Sequence, residues 1–263
     1  MDSAARPNYS SADNLCPAPI PLTLRHSMTP DFLVTGFAWY VVLLFSTTCH
    51  EAAHALAAKL GGDLTAFHGG QVSLDPVPHI RREPFGMVVF PILSYAVGGW
   101  MMGWASAPYD PLWAERHPKR AAWMSLAGPA ANFTLVLLAA ILIHAGIFFG
   151  AFEAPDSAGF SHIVAALNPG VAHGAATVLS IMFSLNLLLG VFNLLPVPPL
   201  DGFGAVGLLL SEDAAARFQA WGHQMGAFSM IGLLVAWRLF DPIFDPLFSL
   251  SLKLLYPGQS YGG

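Results

Sequence analysis

Residues 32–60 read FLVTGFAWYVVLLFSTTCHEAAHALAAKL. The stretch is apolar from Phe32 to Phe45, Ala-rich from Ala52 onward, and closed by Gly61-Gly62 with Lys59 at its polar end. About 20 helical residues, rising ~1.5 Å each, cover a hydrocarbon core of ~30 Å, so one helix over 32–60 crosses a membrane and extends beyond it. Inside it lies His50-Glu51-Ala52-Ala53-His54. On a helix, positions i and i+4 share a face. Both imidazoles can therefore bind one zinc ion, with Glu51 beside them to take a proton from water. Five residues of this kind recur by chance in many chains, but ionisable groups are costly in lipid, and that cost marks them as functional.

Working outward, the whole chain fits the same solvent. Only 10% of its 263 residues are charged, against about 25% in soluble domains, which points to lipid. The net charge of −5 offers no basic face to a nucleic acid. Residues 1–30 hold five prolines and no sustained apolar core, so a polar N-terminal segment is expected there, and the first apolar stretch serves as its own insertion signal. Cys49 lies in an apolar run and is not expected to pair with Cys16. Further apolar runs cover 85–105, 121–149, 172–195 and 222–240. The expected fold is an all-α polytopic membrane protein of about four to six membrane segments, with a short β or re-entrant region after the first span. The membrane domain is expected over 31–240, and an interfacial helix and tail over 241–263.

Basic residues orient this plan. Lys59, Arg81 and Arg82 flank one loop and Arg116, Lys119 and Arg120 the next, while 150–170 has no Lys or Arg. The two basic loops are read as cytoplasmic and 150–170 as external. Both ends of 85–105 then face one side. Either the segment re-enters, broken near Pro91 and Gly98-Gly99, or it spans and the stretch Gly103–Pro111 returns through the protein. Alternation around Gln71-Val72-Ser73-Leu74 predicts a short strand or a loop against the membrane face; a strand at 70–75 would be able to hold substrate by edge pairing.

Two more motifs bear on the chemistry. A catalytic zinc takes three protein ligands and keeps a fourth position open. Asp201, in Asn193-Leu194-Leu195-Pro196-Val197-Pro198-Pro199-Leu200-Asp201-Gly202, ends a span at the depth of His54. It reads either as the third ligand or as an ordinary acidic loop residue. In Ala127-Gly128-Pro129-Ala130-Ala131-Asn132, small residues permit close helix packing, and Asn132 can bond across helices.

HEAAH on a membrane helix, Gly128-Pro129-x-x-Asn132 and Asn193-x-x-Pro196-x-Pro198-x-Leu200-Asp201-Gly202 together resemble the site-2 protease family of intramembrane zinc metalloproteases. Gly62-Asp63-Leu64-Thr65-Ala66, Leu74-Asp75-Pro76-Val77-Pro78-His79-Ile80 and Gly103-Trp104-Ala105 resemble its small bacterial members without a PDZ domain. The likeness runs from about Thr48 to Gly204. It implies an endopeptidase of the bacterial inner membrane, its active site toward the cytoplasm, that cuts transmembrane protein substrates. One zinc per chain would be held by His50, His54 and Asp201, with Glu51 as base and Asn193 aiding substrate or transition state. The chain departs from the family pattern at Arg81-Arg82-Glu83-Pro84 and at Ser106-Ala107-Pro108-Tyr109, segments expected at the edge that meets substrate.

The alternatives are a non-catalytic zinc-binding membrane protein and an ion transporter on the same fold. Retention of Glu51 weighs against the first, and polar residues gathered on one side weigh against the second. His68 and His79 read as solvated loop histidines, His144 as lying near the outer side, and Trp100, Trp104, Trp113 and Trp123 as interface anchors.

Overall fold

The computed structural model describes residues 29–226, 229–259 and 261; the expected N-terminal segment 1–30 lies almost wholly outside them. The protein is an all-α polytopic membrane protein. Helix α1, Pro30–Gly61, starts where the Thr29 hydroxyl accepts from the Phe32 N–H and ends at Gly62, whose φ of +101° is open to a residue without Cβ. After it come α2 (Thr65–His68) and α3 (Pro76–Arg82). A wide π turn over Phe85–Val89 leads into α4 (Phe90–Gly98), followed by α5 (Pro111–Arg116), α6 (Pro118–Phe148) and α7 (Val171–Asn193). Beyond the proline turn lie α8 (Asp201–Ala205), α9 (Glu212–Met225) and α10 (Ser229–Leu255).

Three of these helices, α1, α6 and α7, are long and apolar enough to cross a bilayer. They pack on one another and carry the site between them. Their outward faces are strongly apolar: Val34, Phe37, Leu137 and Ile141 are each more than three-fifths exposed. Water would penalise such surface; lipid does not.

Within 85–105, the chain folds back on itself. From Phe85 to Gly98 the chain is helical, then it turns at Gly99 and runs back without regular structure. The Trp104 N–H donates to Gly86 O at 3.1 Å, so the return lies against the outgoing turn. A Cβ on Gly103 would sit 2.6 Å from that same Gly86 oxygen, and this explains the small residue where two backbones meet.

The strand expected at 70–75 does not form. Gly69-Gly70 turns the chain, and the Asp75 carboxylate accepts from the Val77 N–H to start α3 at Pro76. The loop alternative therefore holds, and the edge-pairing idea loses its strand. The regular strand pair among the described residues, β1 (Phe152–Glu153) with β2 (Ala165–Ala166), lies instead in the loop between α6 and α7.

The stretch 222–240 is not one segment. It is divided at Gly226 between α9 and α10, and α10 continues through Pro242 and Pro246, so the boundary expected at 240/241 falls inside a helix. Gly232, near its start, abuts Pro198 of the turn after α7, and Tyr256, just past its end, donates to Ile163 O in the loop before α7. Helix α10 thus runs beside α7 in the opposite direction. Phe240, Phe244 and Leu252 bury one face of it, while Arg238, Asp241 and Asp245 are exposed.

Candidate metal centre

His50, Glu51 and His54 lie on α1, which packs against α6, and all three are buried. The Nε2 atoms of the two histidines are 3.0 Å apart. Asp201 enters from the first turn of α8, its Oδ2 3.0 Å from His50 Nε2 and its Oδ1 3.3 Å from His54 Nε2. These are the three metal-ligating side chains that cluster among the described residues.

The proline turn delivers Asp201. Val197 N–H bonds Leu195 O and Leu200 N–H bonds Val197 O, winding the chain tightly after α7. A Cβ on Gly202 would lie 2.2 Å from Leu194 O, so this turn closes only around glycine. Lys119, near the start of α6, donates to the carbonyls of Gly207, Leu208 and Leu210 and ties down the chain beyond α8.

The donor set suits zinc on three grounds. Two histidines and a carboxylate leave one tetrahedral position open, as catalytic zinc requires. Two nitrogens bound to one tetrahedral zinc sit about 3.3 Å apart, close to the contacts here. Asp201 Oδ2 is buried and accepts no hydrogen bond, an expensive state unless a cation claims it. Gly128 completes the cradle. A Cβ there would stand 2.3 Å from His54 Nε2 and 2.5 Å from His50 Nε2, in the space a metal would use. Gly128-Pro129 lies well inside α6.

The remaining ring nitrogens are both engaged. His54 Nδ1 donates to the Met124 carbonyl at 2.7 Å, and His50 Nδ1 is 2.6 Å from Asn132 Oδ1. A carbonyl can only accept, so His54 carries its proton on Nδ1 and presents an Nε2 lone pair to the site. Asn132 bonds across helices as its motif implied. Asn193 donates to Leu189 O of its own helix.

At this site the chain meets known proteins. The model of peptidase family M50 matches residues 38–233. The chain belongs to that family. It is 29% identical over 225 residues, 79% of its own length and 92% of the relative's, to "Putative zinc metalloprotease YwhC" of Bacillus subtilis. To "Putative zinc metalloprotease Rip2" of Mycolicibacterium smegmatis it is 31% identical over 182 residues, 68% of this chain and 61% of that protein. To the Rip2 of Mycobacterium tuberculosis it is 33% identical over 165 residues, spanning 53% of that protein. No solved structure gives a significant match. The family is that of the site-2 proteases, and the M50 chain is a zinc metalloprotease embedded in a membrane.

Beside the centre, the loops of α2–α3 and of the 99–116 stretch form a rim. Asp63 is buried and accepts from Thr65 N–H, the Thr65 hydroxyl and Asp110 N–H. Burial opposes ionisation of its carboxyl, but these bonds win and lower its pKa. The two departures from the family pattern touch each other here: Arg82 Nε donates to the Ser106 hydroxyl, which donates to Glu83 Oε1 at 2.6 Å. His79 is not solvated. It is 1% exposed, with Nε2 at 3.1 Å from Ser73 O, whereas His68 is exposed as expected. Trp113 is not an interface anchor either; it is buried and donates to Gly61 O at the end of α1. Exposed His144 lies edge-on to Tyr256, which bonds Ile163 in the α6–α7 loop.

Sequence reading missed Asn186 and Ser46. Asn186 donates to Ser46 and accepts from Asn132. Polarity in an apolar span was the available signal, since Asn186 is a carboxamide in the apolar interior of α7.

Proposed function

We propose that this M50 protease cuts transmembrane protein substrates, with His50, His54 and Asp201 as zinc ligands and Glu51 as the general base. The observation that carries this reading is the meeting of those three ligand atoms over Gly128, with Glu51 buried on the same turn of α1. Zinc held there supplies Lewis acidity, lowering the pKa of a water toward ~7 and polarising a carbonyl. Glu51 takes the proton from the attacking water and hands it to the departing amine, so that the amide bond breaks to an acid and an amine. Asn193 spends one amide hydrogen on Leu189 O and keeps a second for a substrate carbonyl.

A buried centre flanked by three apolar helices favours a substrate that arrives from the bilayer. Such a substrate must unwind locally, because a helix pairs its own backbone. The site belongs to the cytoplasmic face of a bacterial inner membrane in this reading. It lies toward the end where Lys59, Lys119 and Arg120 gather, and Arg120 there donates to Gly61 O. The opposite loop, 150–170, has no Lys or Arg.

The test compares wild type with Glu51→Gln in detergent, on a model transmembrane substrate, with zinc content measured. Loss of cleavage by a factor of ~10²–10⁴ with zinc retained is the expected result. Equal cleavage by both proteins would overturn it.

A further inference from the structure

Asn132 and Asn186 are both fully buried between α1, α6 and α7. Their bonds link the three helices in one chain from His50 to Ser46. Asn132 Nδ2 donates to Asn186 Oδ1 at 2.8 Å, Asn186 Nδ2 donates to Ser46 Oγ at 2.8 Å, and Ser46 stands one helical turn before His50 on α1. His50 Nδ1, 2.6 Å from Asn132 Oδ1, stands at the other end of the chain of bonds.

The chain of bonds has a direction, and a backbone group sets it. Asn186 Nδ2 also lies 2.8 Å from the Met182 carbonyl, one turn earlier in α7. A carbonyl has no hydrogen to give, so the amide nitrogen of Asn186 must face it. Its two hydrogens then go to Met182 O and Ser46 Oγ, and only Oδ1 is left for Asn132. Asn132 must answer with its own NH₂ and turn Oδ1 to His50. His50 is thereby required to carry its proton on Nδ1 and to present an unprotonated Nε2 to the centre. The reverse orientation would put an N–H where a metal must bind and strand a donor against Met182 O.

We propose that Asn186, acting through Asn132, is a positioning residue that locks His50 in its metal-binding tautomer. The inference rests on His50 being a ligand, as proposed above. Asn186 touches neither substrate nor metal; its effect is transmitted along two hydrogen bonds.

Packing and relay make opposite predictions for two substitutions. Asn186→Leu keeps the volume in an apolar helix but deletes the acceptor that orients Asn132. Asn186→Asp keeps that acceptor and, protonated in this buried place, also keeps a donor for Met182 O. If Asn186 only filled space, the leucine would be the milder change. As a relay member, the aspartate is.

Zinc affinity of the full-length protein in detergent, measured by competition with a chromogenic chelator, should fall ~10–100-fold in Asn186→Leu and remain near wild type in Asn186→Asp. In metal-free wild-type protein at alkaline pH, ¹⁵N-histidine NMR should show His50 as the Nδ1–H tautomer, with Nε2–H signal growing in Asn186→Leu. Unchanged zinc affinity in the leucine variant, or a weaker aspartate variant, overturns the relay. So does an Nε2–H tautomer in wild type, which needs no variant to fold. The ligand assignment fails separately, if His50→Ala binds zinc as wild type does.

Discussion

In the metal pocket the hydrogen bonds join residues far apart in the chain: 82 positions from His50 to Asn132, 54 from Asn132 to Asn186, 140 from Asn186 back to Ser46. In the rim beside it many span two positions, as from Thr65 to Asp63 and from Val77 to Asp75. The rim thus holds pieces that can form alone, pinned together at Asp63 and Ser106. The pocket exists only once three helices have assembled in register. Damage to helix register should therefore reach the metal, and damage to the rim should loosen an edge and leave the metal alone.

The sharpest way to break that contrast is Gly128→Ala. The added methyl would stand between the two Nε2 atoms, so zinc content by metal analysis should drop from one per chain to near zero and cleavage should vanish. A Gly128→Ala protein that keeps its zinc would place the metal elsewhere. Asn132→Ala comes next, stripping His50 Nδ1 of its acceptor and Asn186 of its donor. Its zinc dissociation constant should rise ~10–100-fold, while protease nicking of residues 63–110 stays at the wild-type rate.

The rim variants should do the reverse. Asp63→Ala orphans three donors and should cost about 1–3 kcal/mol of local stability, seen as faster amide exchange over 63–66 and 110 with zinc affinity unchanged. Because the folded Asp63 carboxyl is lowered, its contribution is complete above the unfolded value of ~3.9 and is lost as pH falls through the lower folded value. Wild type should therefore lose protection at 63–66 on acidification, and Asp63→Ala should not respond. Smallest is Ser106→Ala, which cuts the partly exposed Arg82–Ser106–Glu83 contact. It should cost under about 1 kcal/mol and alter relative cleavage rates among model substrates more than zinc content.

The meeting of Arg82, Glu83 and Ser106 also recasts the family departures. Read along the chain, they are two separate oddities, with Pro84 and Ser106 22 positions apart. In space they are one feature, each departure supplying the other's hydrogen-bond partner. The rim was the least legible region for the same reason that made it look like a strand. Alternation at 71–74 has period two, but the prolines at 76 and 78 and the Asp75 cap act over shorter range and decide the local backbone.

What the amino-acid sequence determined by itself was whatever depends on short-range spacing and on solvent. Apolar runs of the right length made the three long helices and the membrane setting. The i, i+4 step put His50 and His54 on one face, with Glu51 beside them. The carboxylate in the proline turn could be singled out because zinc needs a third ligand. Tertiary structure alone decided that Asp201 reaches those histidines, that Gly128 leaves the space between them, and that 85–105 folds back on itself. It alone also revealed Asn186, a residue without a motif, as the group whose orientation is fixed by Met182 O and passed on to His50. Helical periodicity acts over four residues, whereas a hydrogen bond between helices has no signature in the spacing along the chain; it appears only when packing brings the two backbones together.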